Sequence, residues 1–213
     1  MSRPLLIARR GRLSRSVLPP WRTILYQNDF PDLSAFNANS VMAISNGQLV
    51  NTENGSNFYF ANYNPATEGA GVEMTLVVKC IANQAAAVID DFQAVQAQET
   101  PGVWRRYWAC WGAGGFQIKR RYNSDEVLVT GAHAAPVQGQ VRWLGLRRYN
   151  TNSYQAYIWD TDPRLGGVPL ETITSPSNDA SWAGFTVRGV GLNARPTGSP
   201  RPTMDDFTIF GAA

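Results

Sequence analysis

Three kinds of side chain in this sequence could carry chemistry: paired carboxylates, a single histidine, and tryptophans interleaved with arginine. The carboxylate pairs are Asp90-Asp91, Asp160 with Asp162, and Asp205-Asp206. Two carboxylates act together on a glycosidic bond only when both reach it across one cleft. Adjacent residues of a strand point to opposite faces, so Asp90-Asp91 and Asp205-Asp206 are predicted not to form a dyad. Asp160 and Asp162 fall in the turn DTDPRLGG, which reads as solvated, with a calcium-supported loop as the alternative. His133 stands in GAHAAP and no G-x-S-x-G elbow accompanies it, so no Ser-His-Asp system is expected. Cys80 and Cys110 lie in strand-like runs and read as buried thiols rather than a bridge or a zinc site. Gly112-Ala113-Gly114-Gly115 is a hairpin turn and not a phosphate cradle, because no helix follows it. No catalytic residue, metal site or cofactor is expected, and the chain reads as a binding or structural protein rather than an enzyme.

Two binding surfaces are legible. Trp104, Arg106 and Trp108, joined across the glycine turn by Arg120 and Tyr122, are expected to line one sheet face. Aromatic rings alternating with guanidinium groups can stack on sugars or on nucleic-acid bases. The plainer alternative is tryptophan core with arginines snorkelling at its rim. The second surface is the arm, residues 1–22, with six arginines and no acid. Removing those six from the 19 basic residues leaves 13 against 16 acidic ones, so the net charge of +3 belongs to the arm and the body is acidic. Within the arm, Arg3, Arg9, Arg10, Arg12 and Arg15 alternate with Leu5, Leu6, Ile7 and Leu13. That mixture suits an extended peptide docked in a protein groove better than a purely electrostatic nucleic-acid tail. Leu5 to Ala8 is too short for a secretory signal's apolar region, and no run approaches a membrane span.

The elements that must position these residues are strands. In the run Gln140 to Asp160, Leu144 and Leu146 share one strand face and Val141 and Trp143 the other; beyond a polar turn, Tyr154, Ala156 and Ile158 oppose Gln155, Tyr157 and Trp159. Neither face is cleanly polar, which places this hairpin inside a sheet covered on both sides. Further strands are predicted at ILYQNDF, at VMAISNGQLVNT with Asn46-Gly47 as its turn, at NFYFANY and at VEMTLVVKCIA. PDLSAFN reads as a loop or helical turn, and Ala87 to Gln96 as a strand despite competing helix propensity. VWRRYWACW and FQIKRRYN form a hairpin, EVLVTG continues it, and the last third holds two or three strands closing on DDFTIFG. Short strands at regular intervals, with turn residues between them, make an all-β, two-sheet antiparallel sandwich.

These segments also resemble a known family. VRWLGLRRYNTNSYQAYIWD is similar to a hairpin of the concanavalin A-like (laminin-G-like) jelly rolls. VGLNA followed by DDFTIFG is similar to their closing strands, and ILYQNDFPDLSAFN followed by NGQLV to their opening. The resemblance spans Ile24 to Gly211 and implies a jelly-roll sandwich over 23–213, its first strand beside its last, with a possible glycan-binding concave face. The E-x-D-x-x-E signature of the family's glucanases is absent. Tailed bacteriophages use such domains as capsid decoration, head-fibre and tail accessory proteins. The resemblance therefore implies a non-enzymatic virion protein, and the N-terminal arm, which has no counterpart in the family pattern, is expected to hold it to other assembly proteins. A lectin-like carbohydrate-binding module for cell-surface glycans is the alternative, with a polysaccharide-active enzyme third and a homo-oligomer left open.

Overall fold

The computed structural model describes residues 23–55, 57–63, 75–83, 93–98, 105–150, 153–176, 187–195 and 199–211. The arm, Trp104 and the Asp90-Asp91 pair lie outside them. The described residues form strands β1 (Thr23–Asn28), β2 (Phe36–Ala38), β3 (Met42–Ser45), β4 (Gln48–Asn51), β5 (Phe58–Tyr63), β6 (Thr75–Ala82), β7 (Gln93–Gln98) and β8 (Arg106–Gly112). These are followed by β9 (Gly115–Arg121), β10 (Asp125–Thr130), β11 (Gln140–Asn150), β12 (Ser153–Trp159), β13 (Glu171–Thr174), β14 (Val187–Asn193) and β15 (Thr203–Gly211). The first sheet runs β13-β12-β11-β6-β15-β4-β3, with β1 also on β15; the second runs β10-β9-β8-β7-β14-β5-β2. Pairing within both is antiparallel.

The expected pairing of the chain's first and last strands is present, with Ile24 opposite Phe210 and Asn28 opposite Phe207. The central hairpin is covered on both faces. Leu144, Leu146, Ala156 and Ile158 point into the space between the sheets, against Val95, Trp111, Ile118 and Leu192 of the second sheet. On the far face Trp143, Tyr157 and Trp159 bury a second cluster with Val77 and Phe210. Removing one of the fully buried leucines would cost ~2–5 kcal/mol. Polar rivets join the sheets as well: Gln93 Nε2 donates to the carbonyls of Ile81 (3.1 Å) and Thr203 (2.7 Å), and Asn51 Nδ2 to that of Leu192 (3.0 Å). Cys80 and Cys110 are both buried and not joined in a disulfide, and burial pushes the Cys80 thiol well up from its ordinary pKa.

PDLSAFN ends in a strand rather than only a turn. The three residues of β2 pair with Phe36 opposite Tyr63 and put the Phe36 ring into the core. So short an edge strand has no alternation to read. The sandwich closes on one side through the loop after β10. Glu171 of β13 accepts from the backbone N–H groups of Ala132 (2.6 Å) and His133 (2.8 Å), while Trp111 Nε1 donates to the Ala134 carbonyl (2.9 Å). Gly115, at φ 80° in the β8–β9 turn, lies against the His133 carbonyl, where a Cβ would come within 2.7 Å.

Candidate functional site

The site is built on the outward face of the second sheet, and the β8–β9 turn sets its composition. Gly112 pairs with Gly115 across a two-residue turn, so Arg106 stands opposite Arg121, Trp108 opposite Lys119, and Cys110 opposite Gln117. Residues opposite one another in an antiparallel pair share a face. The face therefore carries Lys119 and Arg121, not the expected Arg120 and Tyr122. Those two point to the other side, where Arg120 pairs with Glu126 and Tyr122 receives a hydrogen bond (3.0 Å) from Arg105, whose guanidinium lies 4.6 Å from its ring centre. Arg106 and Trp108 do share the face, with Arg106 4.4 Å from the Phe60 ring centre and 5.1 Å from that of Trp108.

The ladder lines up one row across the sheet: Asn62, Gly189, Gln96, Trp108, Lys119 and Val127. The adjoining row is Phe60, Gly191, Ala94, Cys110 and Gln117. Glycine in β14 is what lets the aromatics of β5 spread. A Cβ at Gly191 would come within 2.4 Å of Phe58 Cε1 and 2.7 Å of Phe60 Cε1, so both rings lean over bare backbone. Phe58 and Phe60 sit edge-to-face at 5.0 Å and remain half-buried. Gln96 Nε2 donates to Asn62 Oδ1. Two neighbours in this row keep one polar atom each without a hydrogen-bond partner among the described residues: Trp108 Nε1, a donor, and Gln96 Oε1, an acceptor. Trp108 is 1% exposed and Gln96 0%.

Phe58, Phe60, Asn62, Gln96 and Lys119 were not singled out from sequence. Alternation in NFYFANY puts Phe58, Phe60 and Asn62 on one face, but not which strand they border. Tyr122, 49% exposed, is not part of the face.

The carboxylates are arranged differently from expectation. Asp205 and Asp206 do not diverge, because β15 bulges between Asp205 and Thr208 with Asp206 at φ 50°. The extra residue brings both within reach of Lys79 Nζ, at 3.2 Å and 3.7 Å, and keeps Phe207 in the core. Arg164 completes the group, 3.3 Å from Asp206 and 2.7 Å from Asp162, with its guanidinium 4.8 Å from the Trp143 ring centre. Burial and a hydrogen bond with Asp29 push the Asp206 carboxyl above its usual range, against the pull of Arg164. Asp162 is not a bare solvated turn residue: it caps the 3-10 turn Pro163–Leu165 by accepting from the Arg164 N–H. Both aspartates are engaged by cations. Among the described residues no group of three or more His, Cys, Asp or Glu is placed to hold a metal ion. His133 is held below the usual imidazole pKa by burial and by Arg142 beside it, with Glu171 pulling the other way.

No protein-family model matches the chain, and no curated protein matches it in sequence. Solved structures do match in fold. The carbohydrate-binding module CBM66 from Bacillus subtilis superposes with a TM-score of 0.54 at 11% identity, covering 83% of this chain and 96% of that one. The exoplasmic/lumenal domain of VIP36, solved with Ca2+ and Man3GlcNAc, gives 0.59 at 9% identity, covering 88% of each chain. The CBM2 module of the evolved Dit of Lactobacillus casei BL23 phage J-1 gives 0.56 at 8% identity, covering 89% and 95%. The fold is a concanavalin A-like jelly roll. At such identities the shared property is the fold, and function has to be argued from the face itself.

Proposed function

We propose that this chain is a carbohydrate-binding module that holds a saccharide on the outward face of its second sheet without turning it over. The observation that carries this reading is the donor and acceptor side by side in one row, Trp108 Nε1 and Gln96 Oε1, next to half-buried aromatic rings. A buried polar atom left without a partner costs ~1–3 kcal/mol. A sugar hydroxyl donates and accepts at once, so it satisfies both atoms, while the C–H face of its ring packs on Phe58 and Phe60. The carbohydrate-binding modules and the glycan-bound domain that share the fold support the same reading. The test is affinity electrophoresis of the full chain through a panel of polysaccharides. Trp108→Phe keeps the ring but removes the donor, and Phe60→Ala removes the platform. Each is expected to weaken retention at least fivefold with the fold unchanged; retention unaffected by both would overturn the reading.

A second reading concerns where the module works. We propose that the arginine-rich, acid-free arm attaches it to a larger assembly, a phage virion being the proposed case. The arm's charge, opposite to that of the body, supports attachment, and a phage Dit module with the same fold supports the setting. Co-purification of the full chain, but not of residues 21–213, with virion proteins would be the expected result; equal incorporation of both would overturn it.

A further inference from the structure

Resting on the reading of the arm as an anchor, we infer that its seat lies on a second copy of this chain, where its apolar residues dock on the loop 165–170 beside the outer edge of β13. Leu165 is 87% exposed, Val168 66% and Leu170 48%, with only Gly166, Gly167 and Pro169 between them. Single exposed apolar side chains are ordinary, but three within six residues mark an interaction surface. The loop that presents them is tied down. Arg164 pairs with Asp162 at 2.7 Å and with Asp206 at 3.3 Å, the Leu165 N–H donates to the Asp162 carbonyl (3.1 Å), and the Leu170 N–H donates to that of Ile158 (2.8 Å). Gly167 is packed so closely that a Cβ there would come within 2.6 Å of Thr161 Oγ1. Apolar side chains on a fixed loop lose little freedom when a partner covers them. β13, which follows directly, ends the first sheet, so one side of its backbone carries no ladder and can take an added strand.

Charge and reach select the occupant. Asp29, Asp162, Asp205 and Asp206 gather round Lys79 and Arg164, four carboxylates to two cations, which leaves a local excess of two negative charges beside the loop. These groups keep their present partners; the excess acts as a field on an approaching segment. It repels an anionic membrane surface and attracts residues 1–22, which bring six arginines, no acid, and the apolar Leu5, Leu6, Ile7 and Leu13. The arm leaves the body at Thr23, opposite Gly211 of β15, and β13 lies four strands from β15 across the first sheet. Root and seat are thus ~19 Å apart by strand spacing, while 22 extended residues span up to ~70 Å, enough to cross to a neighbouring copy. An arm seated on the next copy makes a heterologous contact, which builds rings or open chains rather than a closed pair.

The experiment is sedimentation velocity of the full chain from ~5 to ~500 µM. Two full-length variants separate the halves of the contact. Leu165→Ser with Val168→Ser alters the seat, and Leu5→Ser with Leu6→Ser and Ile7→Ser alters the arm. The parent is expected to associate beyond a dimer as concentration rises, and less so in ~500 mM NaCl. Each variant alone is expected to associate at least tenfold more weakly, and the seat variant to melt within ~2 °C of the parent because its substituted residues are exposed. Mixed in equal amounts, the two variants are expected to form a one-to-one dimer and stop there, since one intact arm and one intact seat remain between them. A parent that stays monomeric at every concentration would overturn the proposal. So would an arm variant that still dimerises, which would assign a contact between two such loops. Neutral phosphatidylcholine vesicles bound by the parent and not by the seat variant would assign the loop to a membrane and overturn it as well. A monomeric parent that still co-purifies with virion proteins would overturn this seat and leave the arm as an anchor. An arm variant incorporated as well as the parent would overturn both.

Discussion

Gly191→Ala and Gly189→Ala are adjacent glycine substitutions on the same face of β14, and the structure predicts opposite consequences. Neither glycine has a left-handed φ, so the methyl's effect is steric, and both variants gain ~0.4–1 kcal/mol from a less flexible unfolded chain. At Gly191 the new Cβ meets ring edges, Phe58 Cε1 at 2.4 Å and Cζ at 2.6 Å. The atoms met are the far ends of partly buried side chains rather than backbone, so the crowding cost stays near the low end of ~1–3 kcal/mol. The net loss is then about 0.5 kcal/mol or less, or at most ~2 °C in Tm for a body of this size. At Gly189 the Cβ meets the Ala61 carbonyl oxygen at 2.5 Å, in the neighbouring strand's backbone. Reaching an ordinary C···O separation of roughly 3.3 Å requires β5 to retreat by about 0.8 Å, which breaks the ladder at Gly189–Asn62 and costs ~3 kcal/mol or more. Differential scanning calorimetry gives the stabilities and affinity electrophoresis the binding. The expected pattern is a small Tm loss with binding lost for Gly191→Ala, and a fall of at least ~4 °C for Gly189→Ala. A Gly191→Ala protein that binds saccharide normally, or that melts as early as Gly189→Ala, would refute the idea that the two rings form a displaceable platform.

Glu171→Ala removes the acceptor for the Ala132 and His133 amides; it should cost ~2 kcal/mol and speed hydrogen exchange at those two amides, with Glu171→Gln intermediate. Asp206 binds a proton more readily folded than unfolded, so its charge costs stability at neutral pH and the cost eases as pH falls through the raised pKa. Asp206→Asn, which also suits the positive φ, should raise Tm at pH 7 and lose that gain towards pH ~4; a lower Tm at pH 7 would contradict it. Deleting residues 1–20 should leave Tm and saccharide affinity unchanged while removing co-assembly, and unfolding of the truncated chain would show that the arm belongs to the core.

The hairpin β11–β12 was legible in the sequence because both its faces are apolar over many residues, so alternation had a strong signal. The pairing of β1 with β15 was legible through the resemblance of the chain's opening and close. The face was legible only in its nearest-neighbour part, Arg106 and Trp108. What stands beside them depends on the loop length within GAGG, and one residue of slip exchanges Lys119 and Arg121 for Arg120 and Tyr122. Phe58, Phe60, Asn62 and Gln96 reach the face through β5–β14–β7 pairing, a long-range arrangement that local pattern does not encode. The Asp205-Asp206 expectation failed for a physical reason: strict alternation assumes a regular strand, and one bulge residue at φ 50° cancels it.

The central claim is that saccharide meets the chain at Trp108, and the indole N–H resonances test it most directly. The chain has seven tryptophans, and Trp108→Phe identifies the resonance of Trp108 by its disappearance. Trp143 and Trp159 lie on the outward face of the opposite sheet and act as internal controls, assigned in the same way. Titration with a bound oligosaccharide is predicted to move the Trp108 resonance and leave those of Trp143 and Trp159 in place. A stationary Trp108 resonance at saturating ligand, or shifts confined to Trp143 and Trp159, would contradict the account.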